Sequence, residues 1–497
     1  MKRGSTARPW LSVTGGVAGL VGMALLALVL GYLLPLLRGV GVLEGASLPS
    51  QPLGRLLFAE QMAREFDCQG VQHTRHGTWL VASQNDAGYA IDLPHDEAPP
   101  LALESLLPQP PQNTAAFAAR RARSFVSRLD EQGVFRLLAS VPATACLLAS
   151  TADDTLWLLT DLPRPANSSV EQTVIFRSVD QGRTWHWLEP GLFPGVSAFA
   201  LDLAPQQVGQ ALWQWGDAMS MSMRHATAEL MAEMGGEQPE AFSVPLYYSP
   251  DAGETVEQLA LPEELFVDEA YARSRLPAGA QLASAGYDDI RLYTVPLAND
   301  RAVAWVSQRF PYSYPDEPYI RGVVALSSAL PVQRQDGRWQ VQALRRYEGV
   351  FIERLAQAEG RRLAILGESS LMGEAQLVEL TASGLDWRTL SALPRPFADL
   401  PAHNVVASLQ VGKRAIVLGM SASHQVPRWL QPWRRQAASI SGGGDYLSLD
   451  GGMSWTRVAL PHVLGHVAST DQLVASDAPW FSTRDLVLRQ ITLAPAE

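Results

Sequence analysis

Lysine is almost missing from this chain. It stands only at positions 2 and 413, so nearly all the positive charge is arginine, a bias expected of a GC-rich bacterium and silent about mechanism. Cysteine is nearly as scarce: Cys68 and Cys146 are too few for a disulfide-rich scaffold. These two pair into one disulfide in an oxidising compartment or stay as buried thiols in a reducing one; the sequence leaves both open. Excess positive charge is lacking as well. A net charge of -11 and a pI near 5.4 exclude chain-wide attraction to nucleic acid or anionic lipid, and leave only local anion-binding surfaces. There is no G-x-S-x-G, no H-E-x-x-H, no Walker loop and no C-x-x-C.

The chain is 47% hydrophobic, enough for a large core, yet it contains one long apolar run. Leu11 to Leu37 carries no charge and, at ~1.5 Å per helical residue, spans roughly 40 Å, more than the hydrocarbon core of a bilayer requires. Lys2, Arg3 and Arg8 precede it and Arg38 follows, which places the N-terminus in the cytoplasm and the remainder outside. A signal peptide has a shorter apolar region and a small-x-small cleavage site, so the segment reads as an uncleaved anchor. Gly15 and Gly19 form a G-x-x-x-G pair of the kind that brings two such helices together. The expected organisation is a cytoplasmic stretch 1–10, a transmembrane helix 11–37, a juxtamembrane linker 38–67 with an amphipathic helix over Leu53–Phe66, and an exported domain 68–497.

The exported part consists of short β-branched and aromatic runs broken by Gly, Pro, Asp and Ser, which predicts many short strands. Within it Ser178–Trp185 (S-V-D-Q-G-R-T-W) and Ser448–Trp455 (S-L-D-G-G-M-S-W) share one pattern, and Ser249–Val256 (S-P-D-A-G-E-T-V) follows it up to its last position. Such a pattern suits a hairpin: Ser178, Asp180, Ser249, Asp251, Ser448 and Asp450 bond the turn backbone, Gly182, Gly253 and Gly452 supply positive φ, and Trp185 and Trp455 open the next strand. It resembles the Asp-box, or BNR repeat, of sialidase-like propellers, sortilin-type receptors and photosystem assembly factors. Weaker marks end at Tyr89, Phe135, Trp339 and Trp387. The resemblance implies an all-β protein, a β-propeller of four-stranded blades, seven by these marks, with six and eight as alternatives. The catalytic set of sialidases does not assemble: the string Arg275-Leu276-Pro277 follows the second repeat instead of preceding the first, and the Asp-box aspartates belong to turns.

Three insertions depart from the repeat. Met219, Met221, Met223, Met231 and Met234 with His225 suit Cu(I), or a helix that caps the domain. Tyr312, Tyr314 and Tyr319 lie in R-F-P-Y-S-Y-P-D-E-P-Y, read as a proline-stiffened loop for protein or sugar contacts. Arg428, Trp429, Trp433, Arg434 and Arg435 suit a membrane interface or an anionic partner. Arg120, Arg121, Arg123 and Arg128 form a further basic cluster, and His73 and His76 an H-x-x-H in a polar setting. The reading that joins these is a bacterial inner-membrane protein whose periplasmic propeller binds another protein as an assembly or inhibitor-type factor. No catalytic residue, cofactor or nucleic-acid partner is expected; the alternative is a glycoside hydrolase or glycan-binding protein.

Overall fold

The computed structural model describes residues 45–493 with internal exceptions, the longest being 86–92, 108–121, 189–205, 216–245, 283–288, 368–374 and 427–437. It also describes Tyr32, Leu33, Leu36, Leu37, Gly39 and Val40, which are helical up to Gly39. Most of the expected anchor, residues 11–31, lies outside this set; among the described residues no helix is long and apolar enough to cross a membrane.

The chain is all-β and its described strands form seven sheets. Sheet 1 contains Arg64–Thr74, Gly77–Asn85, Arg123–Leu129 and Phe135–Val141; sheet 2 contains Leu147–Ser150, Leu156–Arg164, Asn167–Ser178 and His186–Leu188. Sheet 3 follows with Gln206–Val208, Ala211–Trp215, Leu246–Ser249 and Glu257–Leu259, and sheet 4 with Asp289–Ala298, Arg301–Tyr314, Glu317–Gln335 and Arg338–Val341. Phe351–Ala358, Arg361–Gly367, Gln376–Leu380 and Trp387–Ala392 make sheet 5; Ala402–Val411, Ile416–Gln425, Ser439–Ser448 and Thr456–Ala459 make sheet 6. In sheet 7, His462–Val467, Gln472–Ser476 and Leu486–Thr492 are completed by Ser50–Leu56, which runs antiparallel to Leu486–Thr492. Ser50–Leu56 is therefore the fourth strand of the last sheet, and the two-residue strand Ala46–Ser47 before it pairs parallel with Thr456–Ala459 of sheet 6.

This corrects the amphipathic helix expected over Leu53–Phe66: two strands, Ser50–Leu56 and Arg64–Thr74, occupy that stretch. Its apolar residues fit a helical period over a short window, but Leu56, Phe58 and Phe66 instead fill a cluster with Phe135, Leu464, Leu486 and Leu488, between sheets 7 and 1. A short apolar run does not distinguish strand from helix until its partner is known.

Each sheet buries both faces, because alternate residues of a strand point opposite ways. In sheet 4, Ala302, Ala304 and Val306 join Trp213 and Tyr248 of sheet 3, whereas Val303 and Trp305 join Ile352 and Val378 of sheet 5. Comparable clusters join sheets 1 and 2, 5 and 6, 6 and 7, and 7 back to 1. Among the described residues this packing runs from sheet 3 through sheets 4, 5, 6, 7 and 1 to sheet 2, the succession expected of a propeller-like ring.

Serine and aspartate side chains hold the turns between third and fourth strands in sheets 2, 3 and 6. Ser178 Oγ donates to Asp180 Oδ1 at 3.0 Å and accepts from Gly182 N at 2.8 Å, while Asp180 accepts from Thr184 N and Thr184 Oγ1 at 2.8 and 2.6 Å. Asp251 holds Ser249 and Thr255 in the same way, and Asp450 holds Ser448 and Ser454. Gly253 and its contacts lie outside the described residues. Burial alone would raise the Asp180 and Asp251 carboxyls; the bonds from Thr184 and Ser178, and from Thr255 and Ser249, hold both below the usual range. Gly182 has φ +72 and also lies against the Trp79 ring of the preceding sheet, and Gly452 lies against Leu377 in the same manner, so a side chain there would strike the neighbouring sheet. Of the weaker marks, Phe135 and Trp387 each open a fourth strand and Trp339 is the second residue of another. Tyr89 lies outside the described residues. Sheet 7 carries no mark because its fourth strand comes from the other end of the chain.

Carboxylates also tie neighbouring sheets. Asp154, in the first turn of sheet 2, accepts from Arg75 N and Arg75 Nε of the first turn of sheet 1, with His76 Nε2 3.3 Å away. Asp471, in the first turn of sheet 7, repeats this on Arg414 N and Ala415 N of sheet 6. His73 is bonded to Thr78, so the H-x-x-H histidines serve these turns. Beside Asp471, His466 is pushed down to about 4 by burial, with Asp471 opposing the shift in part.

Two tests follow from this packing. Leu488→Ala, at a fully buried position of the closing sheet, is expected to cost about 3 kcal/mol in urea denaturation, against less than about 0.5 kcal/mol for the exposed Leu449→Ala. Because His466 binds its proton only near pH 4 when folded and near 6.5 when unfolded, its neutral form stabilises the fold fully above pH 6.5. That contribution is lost as pH falls from about 6.5 to 4, and the slope of stability against pH in this window should flatten in His466→Leu.

Candidate functional site

The two ends of the ring differ. First-to-second and third-to-fourth connections share one end, and the longest of them are the turns just described. Second-to-third connections open at the opposite end and include 86–122, 216–245, 426–438 and 477–485. In chain order the methionine-rich, tyrosine and tryptophan–arginine stretches fall within or beside second-to-third connections. The arginine cluster divides: Arg120 and Arg121 lie outside the described residues, whereas Arg123 and Arg128 stand at opposite ends of the strand Arg123–Leu129, and Arg128 donates to His76 O at the tight-turn end. Met219, Met221, Met223, His225, Met231, Met234, Arg428, Trp429, Trp433, Arg434 and Arg435 lie outside the described residues, as do Cys146 and the side chains of Cys68 and Tyr319. Among the described residues no group of three His, Cys, Asp or Glu side chains is placed to hold a metal ion.

The best-described part of this end is an elaboration of sheet 4. The tyrosine stretch, expected as a loop, is instead the prolongation of Arg301–Tyr314 and Glu317–Gln335 into a two-stranded arm paired as far as Tyr314 and Glu317. Proline is tolerated at 311 because the flanking strand is interrupted there: Arg309 still faces Asp289, whereas Tyr312 already faces Leu282 of a separate short strand. Tyr312 and Tyr314 meet edge to face at 6.2 Å, and the Tyr312 ring fills the space over Gly322.

Beside the arm lies a short helix, Glu269–Ser274, capped by Asp268 accepting from Tyr271 N at 2.6 Å. Val267 and Ala272 bury against Phe310 and Leu326 of the arm. This packing presents Tyr271, whose hydroxyl donates to Glu348 Oε1 at 3.2 Å and accepts from Arg275 Nη2 at 3.2 Å; Arg275 also pairs with Glu348 at 2.9 Å. The Arg275 and Arg346 guanidiniums lie 5.0 and 4.5 Å from the Tyr271 ring centre. Hydrogen bonding to Tyr271 and the charge of Glu348 raise the Arg275 pKa further, so it stays a cation. The R-L-P arginine thus joins Tyr271, one helical turn before it, to Glu348, a carboxylate that no sequence spacing connects to either. Deeper in the ring, Arg309 pairs with Glu353 and lies 3.9 Å over Phe351.

The N-terminal segment reaches the same end. Tyr32 Oη meets His424 Nε2 at 3.0 Å, Phe397 packs on the His424 ring at 5.7 Å between centres, and Gly39 fits against Phe397 and Gly442.

No protein-family model matches this chain, and no curated protein matches it. Solved structures similar to it include a protein of unknown function from Dyadobacter fermentans, 15% identical over 81% of this chain and 99% of that one, with a TM-score of 0.32. A Trypanosoma rangeli sialidase is 11% identical over 73% of this chain and 56% of its own length, with a TM-score of 0.31. A family 117 glycoside hydrolase of Zobellia galactanivorans is 7% identical over 84% and 96%, with a TM-score of 0.30. At these values they assign neither activity nor substrate.

The two glutamates are expected to separate in urea denaturation. Glu353→Gln breaks a pair whose side chains are each 18% exposed and should cost about 3 kcal/mol, whereas Glu348→Gln, at 52% exposure, should cost less than about 1 kcal/mol.

Proposed function

We propose that this protein is a membrane-anchored Asp-box β-propeller of seven blades, one per sheet, whose exported domain is a non-catalytic scaffold that binds another protein, in the periplasm of a bacterium. The observation that carries this reading is the asymmetry of the ring. Tight turns occupy one end, while the longest connections open at the other, together with a two-stranded aromatic arm and a helix whose Tyr271 and Arg275 meet Arg346 of the strand Arg345–Glu348. Binding residues sit on loops held by a rigid scaffold, and rigid aromatics with arginine are the side chains that anchor protein interfaces. The uncharged run Leu11–Leu37, with basic residues before it, supports the anchor and its direction.

Carbohydrate recognition or hydrolysis is the second reading. One contact favours it, the Tyr271 hydroxyl on Glu348 beside Arg275, since a tyrosine–glutamate nucleophile pair near arginine is part of the catalytic set of the sialidases that the repeat resembles.

A photo-crosslinking residue in place of Tyr314, in native membranes, is expected to give a discrete protein adduct that the same residue in place of Leu449, at the tight-turn end, does not. Identical adducts at both positions would remove the interaction reading. Turnover of fluorogenic glycosides that disappears in Tyr271→Phe would establish the second.

A further inference from the structure

The N-terminal segment climbs sheet 6 toward the elaborated end when followed back from the strands. Gly45 lies against Val458, which is paired with Asp445; Gly39 lies against Gly442; Tyr32 reaches His424, which is paired with Ile440. Positions 445, 442 and 440 approach, in that order, the start of the strand Ser439–Ser448, where the connection 426–438 opens. The contacts are close. Gly39 and Gly442 each lack the side chain that would separate the segment from the sheet, and Phe397 fills the space beside both. Immediately before Tyr32 lies the uncharged run that begins at Leu11.

From this placement we infer that the elaborated end of the ring faces the lipid bilayer and that its partner surface is the membrane–water interface. The inference rests on the reading of Leu11–Leu37 as an anchor and adds what that reading lacks, the orientation of the domain. A tether leaves a domain free to tumble. A segment docked through Tyr32 and Gly39 fixes one end of the ring against the membrane and turns the Asp154 and Asp471 turns away from it. The arm of sheet 4 agrees in composition, because it carries Tyr312 and Tyr314 at its end, and tyrosine is enriched at bilayer interfaces. Any protein bound at this end must then lie in or on the membrane.

The test uses the full chain in nanodiscs of phosphatidylethanolamine and phosphatidylglycerol containing lipid with a nitroxide on its headgroup. A small fluorescent amino acid is placed at Ala438, and in a separate sample at Lys413, which lies in the first turn of the same sheet at the opposite end. The expected result is quenching at 438 at least twofold greater than at 413. Gly39→Leu, which displaces the segment from Phe397 and Gly442, is expected to bring the two values together while the protein still resists carbonate extraction. Equal quenching at both positions in the unmodified chain, or greater quenching at 413, would overturn the orientation while leaving the anchor in place. Extraction of the unmodified chain by carbonate would instead overturn the anchor, and the orientation with it.

Discussion

The pairing of Ser50–Leu56 with Leu486–Thr492 is the constraint on which the other sheets depend. A chain of sheets, each buried against the next, ends in two unsatisfied faces and two open edges unless the last meets the first. Here sheet 7 is completed by hydrogen bonds between the two ends of the domain, and its meeting with sheet 1 is sealed by Leu56, Leu464 and Leu488 of sheet 7, which share one cluster with Phe66 of sheet 1. Without that ladder sheet 7 has three strands, and the cluster between sheets 7 and 1 loses part of its wall.

Charge serves different purposes at the two ends. At the tight-turn end carboxylates are consumed by architecture: Asp180, Asp251 and Asp450 each hold one hairpin, and Asp154 and Asp471 each hold the hairpin of the preceding sheet. Buried serines do comparable work inside. Ser83 and Ser124 share a bond and both accept from Ala145 N, at the entry to sheet 2, and Ser307 with Ser327 grips Val350 and Ile352 at the entry to sheet 5. At the other end arginine meets aromatic rings on the surface, where the energy of such contacts is available to a partner as well as to the fold.

What the sequence disclosed and withheld follows from the range of the forces. The hairpins around Asp180, Asp251 and Asp450 were legible because every bond in them closes within a few residues. So was the all-β, propeller-like class, since short strands and repeated turns leave a local pattern. The strand Ser50–Leu56 was not, because nothing nearby distinguishes it from a helix and its partner lies at the far end of the chain. The arm of sheet 4 was misread as a loop on account of Pro311, whose tolerance depends on a gap in a neighbouring strand. The cluster of Tyr271, Arg275, Arg346 and Glu348 joins two connections separated by the whole of sheet 4, and only the ring brings them together.

Closure by Ser50–Leu56 also sets the order of events in making the protein. Ser50–Leu56 leaves the ribosome early and has no sheet to join until Leu486–Thr492 has been made, so for almost the entire synthesis of the domain its edge strand waits unpaired. Contacts of such separation are slow to form. Sheet 7 therefore cannot be completed until the last strand of the chain has been made, and closure between sheets 7 and 1 is a late step.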